Sequence, residues 1–308
     1  MQRVNIMNLT FGRRYVKLKN ILIRLYNKFW DEEITSSSAQ VAFYLSFSLF
    51  PLLLFLVNLF GLILGTATDL QDELFSYLRQ IMPFSAYQLV QKTILEVSEN
   101  SSSGKLTLGF LVALWSASAG MDSLRVSLNH VYKIKETRPY WVTKLESLGL
   151  TLVLIFLLSF VLGIVFYGWK FLSFLLTLVK LPIASFWILI SIQWISFIIV
   201  LLLTFGLVYN FLPNIKDHKR NWISYGSVTA IILWVLLTNG FRIYLYYFNN
   251  YDKTYGSLGA VIILMLWLYL TSLVILIGGA LNAVLSEINA EKTNQKEDSA
   301  SKEIESTN

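Results

Sequence analysis

The sequence has no cysteine and only two histidines among its 308 residues. Without cysteine, the chain forms no disulfide and offers no thiolate ligand to a metal ion. His130 and His218 lie in different predicted loops, so a zinc site is not expected. The sequence also lacks the HExxH and Walker motifs of zinc hydrolases and ATP-hydrolysing proteins. We therefore predict no metal site and no cofactor.

Charged residues are scarce. They make up 14% of the chain, whereas a soluble domain carries roughly a quarter, because its surface faces water. Hydrophobic residues make up 55%, and the mean hydropathy is +0.58. The apolar residues form runs that are too long for the core helices of a soluble protein. This composition excludes an ordinary soluble domain and predicts a chain buried in lipid.

Six apolar stretches are long enough to cross a membrane, since a helix needs about 20 residues to span about 30 Å of hydrocarbon. The predicted fold is therefore an all-α, polytopic membrane bundle. A shorter apolar stretch at 171–181 is bounded by lysines and a proline, and we interpret it as an interfacial segment. If it crossed the membrane instead, the C-terminus would change sides. The predicted spans are 39–64, 106–127, 147–167, 186–209, 222–241 and 258–285.

Lysine and arginine are unevenly distributed among the predicted loops. Seven precede the first span, and further clusters follow the second and fourth spans. Because basic residues are retained on the cytoplasmic side, both termini are predicted to be cytoplasmic. This topology accounts for the net charge of +6, so no nucleic-acid partner is expected. Membrane lipids are the expected partners, and the sequence leaves open whether copies of the chain associate.

The N-terminal segment, residues 1–33, is predicted to be a basic amphipathic helix on the cytoplasmic side. Its apolar residues recur at a spacing of three to four, which places them on one helix face. This face is expected either to bind the anionic membrane surface or to pack against the bundle's own loops. The residues of the predicted face are Leu18, Ile21, Leu22, Leu25 and Phe29.

Two further segments accompany the membrane domain, which is predicted at 34–287. The long loop between the first two spans is predicted to form an extracytoplasmic amphipathic helical segment, broken at Pro83. The C-terminal residues 288–308 contain almost nothing apolar. Because such a segment cannot bury a core, we predict a disordered cytoplasmic tail.

Five segments together resemble the YihY/BrkB family of bacterial inner-membrane proteins, the virulence factor BrkB proteins once labelled ribonuclease BN. The resemblance covers about residues 20–287, and it rests on the order and spacing of the segments. It implies a six-span protein of the bacterial cytoplasmic membrane that transports an amphipathic or lipid-linked solute. The family's usual Pro-Gly-Ala stretch is replaced by Ser224-Tyr225-Gly226, which argues against a proline kink there. The matching segments are 42–56, 114–132, 207–214, 255–270 and 276–285.

Polar residues within predicted spans are costly to bury, so they are candidates for a functional role. Asp122, Arg125 and Asn129 share one helix face, and Asp122 can pair with Arg125. Two polar stations at different depths would suit a substrate path, although arginines near helix ends also extend to lipid headgroups. The candidate path residues are Asp122, Arg125, Asn129, Asn239, Arg242 and Asn282.

Three residues are candidates for a helix break or hinge. Pro51 removes a backbone hydrogen bond inside the first span, and broken helices form binding sites in many transporters. Gly256 and Gly259 lie at the start of the sixth span, where they permit a tight entry or a close helix contact. A kinked or closely packed helix without a binding role is the alternative in each case.

These features favour a transporter or flippase, of a solute that the sequence does not identify. The alternative is a scaffold that organises envelope proteins or lipids without a path of its own. A membrane-embedded hydrolase is less favoured, because no loop places two carboxylates beside a histidine for proton transfer or metal binding. We therefore predict that the chain is not an enzyme.

Overall fold

The computed structural model describes residues 19–48, 51, 91, 103–179, 186–215, 222–247 and 257–305. This part of the chain contains seven helices and no strand. The predicted all-α class is therefore confirmed, while the predicted extracytoplasmic segment lies outside the described residues apart from Gln91. The helices are α1 (19–31), α2 (34–48), α3 (Ser103–Val131), α4 (Tyr140–Val179), α5 (Phe186–Phe211), α6 (Tyr225–Tyr247) and α7 (Ser257–Glu305).

Four helical segments in the described ranges are long and apolar enough to cross a membrane, and they match the third to sixth predicted spans. Helix α3 coincides with the second predicted span, whose polar residues make it the least apolar. The first predicted span begins in α2, and most of its remainder lies outside the described residues. The chain is thus a helical membrane protein, with six spans as the approximate number. The four segments are Tyr140–Val161, Gln193–Phe211, Tyr225–Tyr247 and Val261–Gln295.

Helix α4 differs from the predicted third span, because it continues without a break to Val179. The stretch that we interpreted as interfacial therefore belongs largely to the same helix. No proline lies between Pro139 and Pro182, so the backbone hydrogen bonds can continue through α4. The 40 residues of α4 span about 60 Å, which exceeds the thickness of about 45 Å of a bilayer with its headgroups. Helix α4 must tilt or project beyond the membrane.

Helix α7 also differs from the prediction, which placed a disordered tail at 288–308. The helix continues to Glu305. Alanine, glutamate, lysine and glutamine are strong helix formers, and no glycine or proline interrupts them after Gly279. Two ion pairs join this extension to α1: Lys28 to Glu287 at 2.5 Å and Arg24 to Glu291 at 2.7 Å. The absence of apolar residues indicated disorder, whereas helix propensity and these pairs favour an ordered helix.

The apolar residues of α1 lie on two different faces of the helix. Leu25 and Phe29 of the predicted face pack against the buried core, whereas the alternative interpretation expected contacts with the loops of the bundle. Leu22 is exposed instead, together with Tyr26 and Trp30, whose rings meet edge to face at 6.4 Å. The helix therefore contributes to the bundle through one side and leaves a second apolar side open.

The buried core lies at one end of the bundle. It includes Ile34 of α2, Leu128 of α3, Leu212 after α5 and Leu276 of α7. In α6 the buried residues all lie within the first two turns, and they are Gly226, Ser227 and Ala230. Beyond this region, long stretches of α4, α5 and α6 expose large apolar side chains. We call the packed end, where α3 ends and α4 and α6 begin, the charged end, and the opposite end the far end.

Helices α6 and α7 approach closely at the charged end because two glycines face each other. A Cβ atom at Gly226 would overlap the carbonyl oxygen of Gly278. A Cβ atom at Gly278 would overlap the hydroxyl of Tyr209, which donates a hydrogen bond to the Ile275 carbonyl at 2.7 Å. Small residues are therefore required at this crossing.

The predicted hinge residues are described only in part. Pro51 lies in helical backbone and is half-buried. Gly259 is buried in the first turn of α7, and Gly256 lies outside the described residues. Their role as hinges stays a prediction.

Candidate functional site

Asp122 on α3 has three hydrogen-bond donors around its carboxylate. Ser147 Oγ donates at 2.6 Å, Lys144 Nζ at 2.8 Å and an Arg125 guanidinium nitrogen at 3.3 Å. The Lys144 side chain is 5% exposed, and its ammonium lies 4.4 Å from the ring centroid of Trp115. The predicted partner Arg125 therefore makes the longest of the three contacts, and the shorter two join α3 to α4.

Arg125 lies between two carboxylates without a short contact to either. One guanidinium nitrogen is 3.3 Å from Asp122, and the other is 3.6 Å from Glu136. The side chain is only 10% exposed, and its Nε has no hydrogen-bond partner in the described part of the chain. This cation is therefore shared between two acids and keeps one donor unused.

Arg138 holds the loop after α3 against the end of α5. Its guanidinium contacts Glu136 at 2.8 Å and Glu146 at 2.6 Å. The same group donates to the Leu212 carbonyl at 2.9 Å and to the Phe211 carbonyl at 3.4 Å. The last carbonyls of a helix lack partners within the helix, so Arg138 satisfies the last carbonyl of α5 and the carbonyl that follows it.

Asn129 connects the same loops through its amide. Its Nδ2 donates to Glu136 at 2.9 Å, and its Oδ1 accepts from the Asn214 backbone N–H at 2.9 Å. The side chain of Asn214 donates in turn to Thr137 Oγ1 at 2.9 Å. Three acids and three bases are thus gathered with two amides and a serine. We call this set the charged network: Asp122, Arg125, Asn129, Glu136, Arg138, Lys144, Glu146, Ser147 and Asn214.

Asn282 on α7 lies at the same end but has different partners. Its Oδ1 accepts from the Gly226 backbone N–H at 2.8 Å, and its Nδ2 donates to Ser224 Oγ at 2.9 Å. The first N–H groups of a helix have no partner within it. Asn282 therefore caps α6 from the neighbouring helix, and its side chain also forms a hydrogen bond with Tyr132, just after α3.

Asn239 and Arg242 lie in the far half of α6. Asn239 is exposed and donates to the Val235 carbonyl of its own helix at 2.8 Å. Arg242 is exposed and is about 24 Å along the helix from Gly226 at about 1.5 Å per residue. It lines a cavity of about 560 Å³ with Ile243, Leu245, Tyr246 and Tyr247. The structure therefore brings Asp122, Arg125 and Asn129 together and leaves Asn239 and Arg242 at a separate position.

Comparison with known proteins identifies the family. A family described as Virulence factor BrkB matches residues 25–302. The chain belongs to this family. The BrkB family chain is 33% identical over 267 residues to the "Putative ribonuclease-like protein YfkH" of Bacillus subtilis (strain 168), covering 86% of this chain and 95% of that protein. It is 26% identical over 278 residues to the "UPF0761 membrane protein PSHAa0171" of Pseudoalteromonas translucida (strain TAC 125), covering 87% and 86%. No solved structure matches.

The family match confirms the resemblance seen in the sequence and establishes a membrane protein. A second relative in the UPF0761 group, "UPF0761 membrane protein IL2447" of Idiomarina loihiensis, is 27% identical over 236 residues and covers 75% of the BrkB family chain and 77% of that protein. These names give a membrane location and a similarity to other proteins, and they specify no activity for this chain. The charged network and the packing around it are the features that bear on function.

Several residues of the charged network were not among the sequence candidates. Lys144 and Ser147 lie three positions apart near the start of α4, the same spacing as Asp122 and Arg125 on α3. That repeated spacing could have indicated a facing pair of polar surfaces. Glu136 and Arg138 lie in a loop, where their charges served only to predict topology. Nothing in the sequence of the BrkB family chain indicates that they contact the end of α5.

The hydrogen bonds to Glu136 predict a pH-dependent contribution to stability. Hydrogen bonds from Arg138 lower the pKa of Glu136 from 4.5 to about 2. Above pH 4.5 the carboxylate is ionised in the folded and unfolded chain, and its stabilisation is complete. As the pH falls from 4.5 towards about 2, the unfolded chain binds the proton first, so the stabilisation is progressively lost.

We expect the stability difference between wild type and Glu136→Gln to be largest at neutral pH and to shrink as the pH falls through this window. The measurement is the thermal midpoint of the purified BrkB family protein in detergent, at a series of pH values. Asp298→Asn, at an exposed position of α7, controls for loss of an acid outside the charged network. A difference that is constant down to the folded pKa would contradict the lowered pKa.

Proposed function

We propose that this BrkB family protein is a transporter of an amphipathic or lipid-linked solute, and that the charged network forms a gate at one end of its path. The single observation that carries the proposal is the uneven packing of the bundle. The core and the charged network close one end, whereas α6 buries residues only in its first two turns. A carrier that works by alternating access opens at one end while the other end is closed.

The charged network has the properties of a contact that can open. A buried ion pair contributes little net stability relative to well-packed apolar residues, because desolvation offsets the attraction. Arg125 lies at 3.3 and 3.6 Å from two carboxylates, so it can move between them at small cost. Packed interfaces that change state commonly do so by exchanging such pairs. This arrangement supports a gate better than a fixed brace.

The distribution of basic residues supports placing the gate on the cytoplasmic side of a bacterial cytoplasmic membrane. Arg24 and Lys28 of α1 and Arg138 and Lys144 near the start of α4 all belong to the charged end. Basic residues are retained on the cytoplasmic side. The ion pairs between α1 and α7 also place the N-terminal and C-terminal helices at the same end. The proposed topology has both termini in the cytoplasm.

One observation favours a scaffold as a second candidate. Helix α7 continues well beyond the core to Glu305, and its extension exposes charged side chains that a cytoplasmic protein could bind. The proposal includes no catalytic step in either case. Each acid of the charged network contacts a lysine or an arginine, so the proposal gives these carboxylates a role in closing the gate.

Distance measurements between spin labels test the gate directly. Because the chain has no cysteine, each engineered pair provides the only two labelling sites. One pair, Lys135→Cys with Ile223→Cys, lies at the charged end, and another, Leu108→Cys with Ile243→Cys, lies in the far half. All four positions are exposed, so the labels fit without repacking. A transporter is expected to give two distance populations for each pair in lipid nanodiscs.

The populations should respond to Arg125 in opposite directions at the two ends. In Arg125→Gln, the longer distance at the charged end and the shorter distance in the far half should gain population, because the shared cation no longer closes the gate. Arg125→Lys keeps the charge and serves as the matched control. A single narrow distance at both ends, unchanged in Arg125→Gln, would exclude the transporter and favour the scaffold.

A further inference from the structure

Charged side chains are scarce in the far half of the bundle, among the residues whose side chains the structure describes. The acidic residues all lie at the charged end or on α1, the adjacent loops and the α7 extension. Among the residues beyond the core whose side chains the structure describes, Arg242 is the only charged one. Arg242 therefore provides positive charge at this end of α6.

Arg242 combines this charge with a cavity. The cavity of about 560 Å³ is lined by Arg242, the apolar Ile243 and Leu245, and two tyrosines, Tyr246 and Tyr247. This is an open depression at the end of α6, and its volume falls within the range of small-molecule sites. Arg242 is exposed, and in the described part of the chain no carboxylate forms an ion pair with it. Its guanidinium is thus available to a ligand in the cavity.

The hydrogen-bonding groups of this cavity fit one chemical class. A guanidinium presents five N–H donors and no acceptor, and each tyrosine adds a phenol that can donate. Arg242 and Tyr246 are four residues apart, so they share one helix face. Planar guanidinium binds phosphate through two parallel hydrogen bonds, which a lysine ammonium cannot reproduce. The neighbouring isoleucine and leucine provide an apolar wall.

We propose that this cavity binds the phosphate headgroup of an anionic amphiphile, with Arg242 as the principal contact and the two tyrosines as additional donors. The proposal rests on the transport function, for which it names the class of solute. A phosphate group on an acyl chain satisfies the guanidinium and the apolar wall together. A free phosphate ion would bind the guanidinium but make no contact with the apolar wall. An experiment can therefore distinguish a lipid phosphate from a free phosphate ion.

Lipid binding to the intact, detergent-purified chain tests the site. Native mass spectrometry counts bound molecules of phosphatidylglycerol, with phosphatidylcholine as the zwitterionic comparison and glycerol 3-phosphate as the headgroup without a tail. We expect wild type to prefer phosphatidylglycerol over phosphatidylcholine and glycerol 3-phosphate to compete poorly. Arg242→Gln should bind phosphatidylglycerol about tenfold more weakly, as expected for loss of a charge-assisted contact. Effective competition by glycerol 3-phosphate would overturn the amphiphile and favour a free-phosphate site.

Conservative variants distinguish a built site from a charge that merely lies near lipid headgroups. Arg242→Lys keeps the charge, and the Tyr246→Phe/Tyr247→Phe double variant keeps the ring volume; both should reduce the preference if the hydrogen bonds are specific. Full binding by Arg242→Lys would overturn the proposal, because a generic cation would then suffice. Thermal midpoints check that each variant is folded, which is expected since these side chains are exposed. The spin-label distances report separately on the gate, so the two proposals fail independently.

Discussion

Replacing Asp122 with asparagine is expected to lower the free energy of unfolding by about 3–5 kcal/mol, the cost of leaving a buried charge without its partner. Lys144, whose side chain is 5% exposed, and Arg125, at 10%, both depend on this carboxylate. Asparagine retains the shape and can still accept from Ser147, but it provides no negative charge. The measurement is denaturant unfolding of the purified protein in mixed micelles.

A double variant separates charge from packing in this experiment. Asp122→Asn with Lys144→Gln removes one charge of each sign, and it should recover part of the stability lost in the single variant. Asp122→Glu keeps the charge but moves it by one methylene group. The stability that this variant loses measures how strongly the charged network depends on the position of the carboxylate. If Asp122→Asn unfolds at the same denaturant concentration as wild type, the buried charge of Lys144 does not depend on Asp122. Asp122 would then not be the central residue of the charged network.

Gly226→Val is expected to destabilise the crossing of α6 and α7 by about 3 kcal/mol, towards the upper end of the cost of overpacking. Any side chain at this position overlaps the Gly278 backbone oxygen and the Asn282 side chain. A backbone atom cannot rotate away as a side chain can, so the two helices must separate. Their separation also breaks the 2.8 Å hydrogen bond from the Gly226 N–H to Asn282.

A second glycine of α6 provides the matched control. Gly240 has nothing within 4 Å of the position where a Cβ would lie. Gly240→Val therefore introduces the same residue into the same helix without a clash, and replacement of glycine inside a helix should be neutral or stabilising. The comparison is between thermal midpoints in one detergent. Equal midpoints for Gly226→Val and Gly240→Val would show that α6 and α7 are not in close contact.

The sequence was sufficient to predict the all-α membrane class and part of the charged network. Long apolar runs fix the spans, since helices alone satisfy their backbones in lipid, and the spacing of Asp122, Arg125 and Asn129 placed them on one face. The contacts with Lys144, Arg138 and Asn214 were not predictable, because they join residues far apart in sequence. They depend on how α3, α4 and α5 end beside one another, and no periodicity within a helix encodes that.

The two differences at helix ends have a common origin. For α4, the lysines that bound 171–181 indicated a boundary, although a long lysine side chain tolerates a helix near the membrane surface. For α7, the lack of apolar residues indicated disorder, although Glu287 and Glu291 find basic partners on α1. In both cases hydropathy was a good guide to where the membrane lies and a poor guide to where the helix ends.

The length of α7 has a mechanical consequence. Its 49 residues form a rod of about 74 Å at about 1.5 Å per residue, held near its middle by the contact between Gly226 and Gly278. If such a rigid helix rotates about this contact, its two ends are displaced in opposite directions. Movement at Gly259 would thus also displace the C-terminal part of α7, including Glu287 and Glu291, which pair with α1.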